Sequence, residues 1–297
     1  MKVIAWRATI LISNHPTCYN ELVDWIECFG KDLPVLSPSP NARYRTVEAS
    51  GKTTKDAKAP GTLEVTPVDP LIAQADAILN ELQRTELGTR SMLSTLPQLG
   101  QNSEGDISNT IFLYVIAPII EVLNHKYGDT FEYTTELSRS IEKEDQVNDK
   151  AQKGVRFDAV FLKRQGGGVI ALLEFKRKEY LVYRDFERAL VEEKGSSPDG
   201  LLRRNGDIFT KQISAYAVKS GCKHVALFNW DDLLLFDFFQ LEKKTNTARF
   251  IGKKARLTWV VEREELRGKH MKQHLIRKPL LGWLLQAFKD AGMTPAS

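Results

Sequence analysis

The chain has 297 residues, of which 42% are hydrophobic and 27% charged, so its composition is that of a folded globular protein and excludes a collagen-like or wholly disordered chain. No run approaches the roughly 20 consecutive apolar residues of a membrane-spanning helix, and we expect no membrane segment. The three cysteines, Cys18, Cys28 and Cys222, form no CxxC pair, which excludes a zinc ribbon or a four-cysteine iron–sulfur cluster and indicates reduced thiols in an intracellular protein, cytoplasmic or nuclear.

Charge is distributed unevenly along the chain. The net charge is +4, but residues 241–297 hold 13 Lys and Arg against 5 Asp and Glu, a net +8, and the other 240 residues sum to −4. A basic segment on a near-neutral body is typical of a protein that binds a polyanion. On charge alone, a solvated helix face is the preferred interpretation.

Residues 1–100 are predicted to form a helical, partly disordered N-terminal region. Residues 37–65 are rich in Ser, Pro, Thr, Lys, Ala and Gly, the composition of a linker that lacks the apolar content to order itself. Apolar residues then recur at helical spacing between Pro70 and Leu87, which predicts a helix there.

A more regular core is predicted over residues 101–240. A helix is expected from Asp106 or Ser108, either of which suits an N-cap, to about His125, with a kink or break at Pro118. The later elements are expected in the order strand, strand, strand, helix, strand, strand: Phe131–Ser138, Val155–Lys163, Val169–Lys176, Asp207–Gly221 with Asp207 as N-cap, His224–Asn229 and Leu233–Phe239. This order predicts an α/β or α+β sheet domain. Residues 241–297 are predicted to be a basic extension with an amphipathic helix after Pro279, packed on the core.

Acidic residues and a lysine lie where the two central strands should meet. The apolar run Val169–Leu173 is typical of a strand buried on both faces, yet it leads into Glu174 and Lys176, which point to one face because side chains alternate along a strand. A hairpin centred on Gly166 would put Asp158 opposite Glu174. Two facing carboxylates repel each other unless a divalent cation lies between them. The pattern therefore predicts a Mg²⁺ site beside a lysine.

Such a site has a definite chemistry. A metal held by two carboxylates polarises a phosphoryl oxygen and lowers the pKa of a bound water, and a neighbouring ammonium stabilises developing negative charge. The predicted reaction is hydrolysis of a phosphodiester. A cross-strand surface pair of Glu and Lys is the alternative, and this stretch alone does not separate the two.

The following helix extends the pattern. Gln212 and Tyr216 are four residues apart and share a helix face. The order D…ExK…QxxxY resembles the PD-(D/E)XK nuclease superfamily, in its RecB-like and Holliday-resolvase-like branches, over about Asp106 to Gln240. The stretch HVALFNWDDLLLFDF resembles the strand, short turn and strand that complete the family's sheet. The resemblance implies a three-layer α/β/α, restriction-endonuclease-like core with a mixed central sheet.

The resemblance also implies a metal centre. Asp158 and Glu174 would bind Mg²⁺, or Mn²⁺ in its place, with the Phe175 carbonyl as a further ligand. Many family members add an acidic ligand from the first helix, and Glu121 is the best candidate here, although a solvent-facing carboxylate explains it nearly as well. The family's Pro-Asp form of the first motif is absent, because Phe157 precedes Asp158.

Roles for the other matching residues follow in the same way. Lys176 would be the catalytic lysine, Gln212 would steady the site or the nucleic-acid backbone, and Tyr216 would pack against it or contact it. Further basic residues near these motifs are candidates for phosphate binding, although each alone is better explained as a solvated surface charge. These are Lys163, Arg164, Arg177, Lys178, Arg203, Arg204 and Lys211.

The predicted protein is thus a Mg²⁺-dependent nuclease whose partner is nucleic acid, with DNA favoured over RNA. Two alternatives are left open. The same fold without catalysis would serve as a module that binds nucleic acid or a protein, and a nuclease core joined to a long N-terminal region would suit a toxin or effector. The sequence does not decide whether the chain forms a homo-oligomer.

Overall fold

The computed structural model describes residues 22–24, 26–34, 44, 46–47, 58–83, 91–93, 104–139, 155–191, 201–244, 247–250, 254–261, 272–273 and 275–296. The strands are β1 Leu22–Asp24, β2 Thr62–Val65, β3 Ser91–Leu93, β4 Phe131–Arg139, β5 Val155–Lys163, β6 Val169–Phe175, β7 Leu190–Val191, β8 His224–Phe228, β9 Asp232–Asp237, β10 Leu241–Lys244, β11 Thr247–Phe250, β12 Lys254–Val261 and β13 Lys272–Gln273. The α-helices are α1 Asp69–Leu82, α2 Glu104–Ile111, α3 Ala117–Tyr127, α4 Arg204–Ser220 and α5 Arg277–Asp290.

The main sheet is mixed, which confirms the predicted α/β class. Its strand order is β4-β5-β6-β8-β9-β12-β2-β7, with β13 beside β12. The pairs β6–β8, β12–β2 and β2–β7 are parallel, while β4–β5, β5–β6, β8–β9 and β9–β12 are antiparallel. The crossover from β6 to β8 contains α4, as a parallel neighbour requires.

Helices cover both faces of this sheet. Apolar residues of α1, α2, α3 and α5 share one buried cluster with alternate sheet residues such as Phe161 and Leu173. The residues between them, such as Val160 and Leu172, share a second cluster with α4. The period of two in a strand thus divides each central strand between two cores. The helix predicted after Pro279 begins slightly earlier, at Arg277, and is packed on the body as expected.

The α-helix is interrupted just before Pro118, where the sequence predicted a kink or break, although the chain stays helical. The residues Phe112–Ile116 between α2 and α3 form a π-helical turn, in which the Ala117 N–H donates to the Phe112 carbonyl. Pro118 has no N–H, so the Tyr114 carbonyl four residues earlier loses its usual α-helical donor. The buried Arg277 side chain replaces it, donating from Nε to that carbonyl over 2.7 Å. A π-turn and a buried arginine therefore accommodate the proline.

This helix also qualifies a sequence expectation about membranes. Ile107–Thr130 is 24 residues long and, among the described residues, is the one helical stretch apolar enough to cross a membrane by length and composition. This helix alone does not contradict the expectation that the chain has no membrane segment, which stays a prediction. Ile111, Val115 and Ile119 are fully buried, so its apolar residues here serve to pack the core.

The pairing of β5 with β6 follows the predicted register from Ala159 to Phe161. Ala159 lies opposite Leu173 and Val160 opposite Leu172, as a hairpin centred on Gly166 requires. The ladder ends at the Ala159–Leu173 pair, so the predicted pairing of Asp158 with Glu174 is not part of it. A β-bulge between Phe161 and Leu162 shifts the register by one residue; a bulge depends on local twist and packing, and no sequence pattern predicted it.

Several predicted boundaries need correction. Thr62–Val65 falls inside the segment assigned to a linker, yet it is strand β2, because its two buried residues fill a position between β12 and β7. The average composition of residues 37–65 hid this short run. Asp207 is not the N-cap of α4: the helix starts at Arg204, and Asp207 lies within its first turn.

Candidate active site

The acid–lysine motif lies at the carboxyl end of β6, in the middle of the sheet. Glu174 is the last residue but one of β6, and Lys176 follows the strand, with its N–H bonded to the Phe228 carbonyl of β8 at 2.8 Å. Both side chains point toward α4, because they lie on the face opposite Leu173 and Phe175. This placement brings the motif under the amino-terminal half of α4.

Two polar side chains converge on one carboxylate oxygen of Glu174. Lys176 Nζ lies 2.5 Å from Glu174 Oε1, and Gln212 Nε2 donates to the same oxygen over 2.7 Å. Glu174 is 4% exposed and Lys176 7%. The Lys176 ammonium also lies 5.4 Å from the centre of the Phe209 ring, a cation–π distance. The described structure therefore brings the two residues of the ExK motif together with the glutamine of the helix.

Tyr216 completes this hydrogen-bond chain from the apolar side. Its hydroxyl accepts a bond from Gln212 Nε2 at 2.6 Å, and its ring packs edge-on against Phe157 at 5.0 Å. With 5% of its surface exposed, Tyr216 orients Gln212. Of the two roles predicted for it, packing is the one that its surroundings favour.

Asp158 lies beside the same segment through a backbone bond. Its Oδ2 accepts a hydrogen bond from the Phe175 N–H at 2.8 Å, which ties the Asp158 carboxylate to the Glu174–Phe175 peptide. Burial, together with the charge of Asp158, raises the pKa of the Tyr133 hydroxyl on β4. The half-buried Asp158 carboxylate therefore lies close to both Tyr133 and the segment that contains Glu174.

The donor set at this point suits Mg²⁺ in kind and number. It offers the Asp158 and Glu174 carboxylates and the Phe175 carbonyl, all hard oxygen donors. Mg²⁺ commonly takes one or two protein carboxylates and keeps several waters or substrate phosphates. Within the described part of the chain, no group of three histidines, cysteines or acidic residues is placed to hold a metal.

The predicted fourth ligand, Glu121, lies on α3, whose last residue, Tyr127, is followed closely by the start of β4 at Phe131. Its role as a metal ligand stays a prediction.

A buried polar turn, residues 229–232, stabilises the segment that follows Lys176. The Asn229 side-chain amide donates to the Lys178 carbonyl at 3.0 Å, and its oxygen accepts the N–H of Asp232 at 2.7 Å. Lys178 forms an ion pair with Asp231. Burial raises the pKa of Asp232 to about 6, although a bond from the Trp259 indole partly opposes that rise. The sequence showed this turn only as a hairpin connection.

The predicted phosphate-binding residues divide into two groups. Five lie at the site end of the sheet: Arg177, Lys178, Arg203, Arg204 and Lys211. Arg177 pairs with Glu179 at 2.7 Å and Lys211 with Asp207 at 2.7 Å, while Arg203 and Arg204 are exposed. Exposed arginines at a helix N-terminus are well placed to meet an anion.

Lys163 and Arg164 form the second group and lie far from the carboxylates. They belong to the turn between β5 and β6, at the end of the sheet opposite Glu174. Arg164 is 4.0 Å from Asp129, and Lys163 lines a separate cavity of 580 Å³ together with His224 and Asp290. The geometry therefore does not bring these two residues to the candidate site.

Three residues near the site were not predicted from the sequence: Phe209, Tyr44 and Arg184. Phe209 covers the Lys176 ammonium, and its signal was its position one turn before Gln212. Tyr44, whose ring contacts Arg184 and Arg204, lies in the segment assigned to a linker. An aromatic residue between two arginines in an otherwise polar stretch was the available signal.

Comparison of the chain with protein-family models, with curated proteins and with solved structures found no match. The function of the protein is therefore inferred from the motif and from the geometry of its residues.

Proposed function

We propose that this protein is a metal-dependent nuclease that hydrolyses phosphodiester bonds in DNA, with RNA as the less favoured substrate. The observation that carries the proposal is the convergence of Lys176 and Gln212 on Glu174, at 2.5 and 2.7 Å, next to the Asp158 carboxylate. These residues come from the neighbouring strands β5 and β6 and from helix α4, which follows β6 in the chain, and this is the order that the motif requires. The restriction-endonuclease-like description of the core is part of this proposal, supported by the placement of α4 between parallel strands β6 and β8.

The residues of the site have separate roles in the proposed reaction. Asp158, Glu174 and the Phe175 carbonyl would hold Mg²⁺, which supplies Lewis-acid polarisation of the phosphate and an acidified water when bound. Lys176 would stabilise the negative charge that develops on the phosphoryl oxygens. Gln212, fixed by the Tyr216 hydroxyl, would hold Glu174 in one orientation.

A binding module without catalysis is the second candidate, and one observation favours it. One of the two Glu174 carboxylate oxygens, Oε1, is already bonded to an ammonium and an amide. Polar groups that satisfy one another in a buried cluster are also what a purely structural network requires. Such a protein would bind nucleic acid and leave it intact.

Cleavage assays separate these functions. Purified protein is incubated with linear DNA, circular DNA, single-stranded DNA and RNA, each with Mg²⁺, Mn²⁺ or EDTA. The site variants are Asp158→Asn, Glu174→Gln and Lys176→Met. The control is Lys278→Met, since Lys278 is a partly buried lysine that pairs with Asp76 on the other face of the sheet.

The expected result is metal-dependent cleavage that falls about 100-fold or more in each site variant and persists in the control. Cleavage of circular DNA as well as linear DNA would mark an endonuclease. Undiminished cleavage by Glu174→Gln would refute the catalytic assignment. No cleavage by the unmodified protein, with nucleic-acid binding retained by all site variants, would establish the binding module instead.

A further inference from the structure

We infer that Tyr44, Arg184 and Arg204 form a stacking platform that binds an unpaired nucleotide next to the candidate active site. The inference rests on the proposed function and adds the form of the substrate, a strand with at least one unpaired base. The catalytic cluster itself carries no information on strandedness.

The platform is an aromatic ring with two guanidinium groups next to it. The guanidinium carbon of Arg184 is 4.8 Å from the centre of the Tyr44 ring, and that of Arg204 is 5.9 Å from it. The Tyr44 hydroxyl donates to Asp185 Oδ2 at 2.7 Å, and Asp185 is 2% exposed. The ring is thus anchored at its hydroxyl, while both arginines are exposed to solvent.

Two further features show that the backbone around the platform is held in place. The Val47 N–H donates to the side chain of Asn205 at 2.8 Å, and Asn205, fully buried, also donates to the Tyr180 carbonyl at 3.1 Å. Arg204 has a φ of +41°, a left-handed conformation that costs a residue other than glycine about 1–3 kcal/mol. The fold holds Arg204 there despite that cost.

The platform lies within reach of the catalytic cluster. Arg204 opens α4, and Phe209, five residues later, contacts the Lys176 ammonium at 5.4 Å. Five residues of α-helix span about 7.5 Å. A strand whose phosphate lies at Lys176 would therefore pass the platform with a nearby nucleotide.

The chemistry of the platform selects unpaired bases. Bases stack on tyrosine rings and on guanidinium planes, and arginines also pair with phosphates. Inside a duplex these base faces are already covered by neighbouring bases. Glu174 and Lys176 are 4% and 7% exposed, so the phosphate must enter a recess, and a duplex with a persistence length of about 150 base pairs bends into a recess poorly.

Binding without cleavage tests the platform directly. Fluorescence anisotropy with labelled single-stranded DNA of about 12 nucleotides, and with a blunt duplex, is measured in EDTA at about 100 mM salt, because phosphate contacts are salt-dependent. Tyr44→Ala should weaken single-strand binding about 5- to 150-fold, whereas Tyr44→Phe, which keeps the ring, should stay within about 2-fold. Arg184→Ala should weaken it more than Lys219→Ala, which removes an equal charge at the far end of α4.

A photocross-link gives a readout that a merely structural role would not produce. Single-stranded DNA carrying one 5-iodouracil is irradiated with the unmodified protein, and the cross-linked peptide is identified by mass spectrometry. A cross-link to Tyr44 that is competed by unlabelled single strand and not by duplex is the expected result.

The outcomes distinguish the platform from the nuclease. Unchanged single-strand affinity in Tyr44→Ala, or equal losses for duplex and single strand, would overturn the platform even if the protein cleaves DNA. Tyr44-dependent binding and the Tyr44 cross-link in a protein that cleaves nothing would support the platform and refute the nuclease. Should the unmodified protein bind no single strand in EDTA, the platform is refuted.

Discussion

The ion pair between Glu174 and Lys176 predicts a large effect on stability whatever the protein's activity. Their side chains are 5% and 9% exposed, and the charged atoms are 2.5 Å apart. Removing one member of a buried pair costs about 3–5 kcal/mol, because the other charge stays buried without its counter-ion. Lys176→Met should therefore lower the free energy of unfolding by about that amount.

Replacing both members should restore much of the loss. The double variant Glu174→Gln with Lys176→Met removes both charges, and such replacements are often neutral or stabilising. The control is Lys31→Met, because the Lys31–Glu27 pair is 46% and 58% exposed and should contribute less than about 1 kcal/mol.

Urea denaturation in EDTA, followed by circular dichroism, measures these differences. At a slope of about 3 kcal/mol per molar urea, the Lys176→Met midpoint should fall by about 1–2 M. A loss no greater than that of Lys31→Met would refute the claim that the pair is buried and strongly coupled. A double variant no more stable than the single one would show that size or hydrogen bonding, and not charge, dominates.

Three other predictions concern packing and pH. A Cβ on Gly282 would lie 1.8 Å from the Leu71 carbonyl oxygen, so Gly282→Ala should separate α1 from α5 and lower the urea midpoint sharply, whereas Gly30→Ala, with open space around it, should not. Burial raises the pKa of Asp232 from 3.8 to about 6, so the folded state binds that proton more tightly, and the free energy of unfolding should fall by about 2 kcal/mol between pH 4 and 6 in the unmodified protein relative to Asp232→Asn. Arg277→Met removes the donor to three main-chain carbonyls and should cost about 3–5 kcal/mol, measured by the same urea titration.

The sequence was sufficient for the centre of the sheet because its signals there are local. Each element has a sequence signal within a few residues. These signals are the apolar run that leads into Glu174, the glycines of the turn, and the αL glycine at the end of α4, Gly221 with φ 66°. Strand period and helix period then place Glu174, Lys176 and Gln212 on facing surfaces. That is why the convergence of these residues could be anticipated.

What the sequence could not show depends on distant partners. The strand identity of Thr62–Val65 depends on β12, and the hydrogen bond to the Tyr114 carbonyl, which Pro118 leaves without its usual donor, comes from Arg277. The position of Tyr44 depends on Asp185 and on the start of α4. In each case a residue far along the chain supplies the hydrogen bond, so composition within a short window averages the signal away.

The pairing of β2 with β12 also dictates an order of events during synthesis. Glu64 and Lys254, which bond at this junction, are 190 residues apart, so at about 5–20 residues per second the ribosome needs about 10–40 s to supply the partner of β2. The strands and helix of the candidate site lie within residues 155–220 and can assemble on the nascent chain before then. β9, all of whose residues but the last are buried in the finished sheet, waits for β12 only while residues 238–261 are made, about 1–5 s at the same rate. The strand that waits through the longer interval is β2, so its Thr62 and Leu63, which are buried in the finished sheet, would depend on a chaperone or on other parts of the nascent chain for cover until β12 is made.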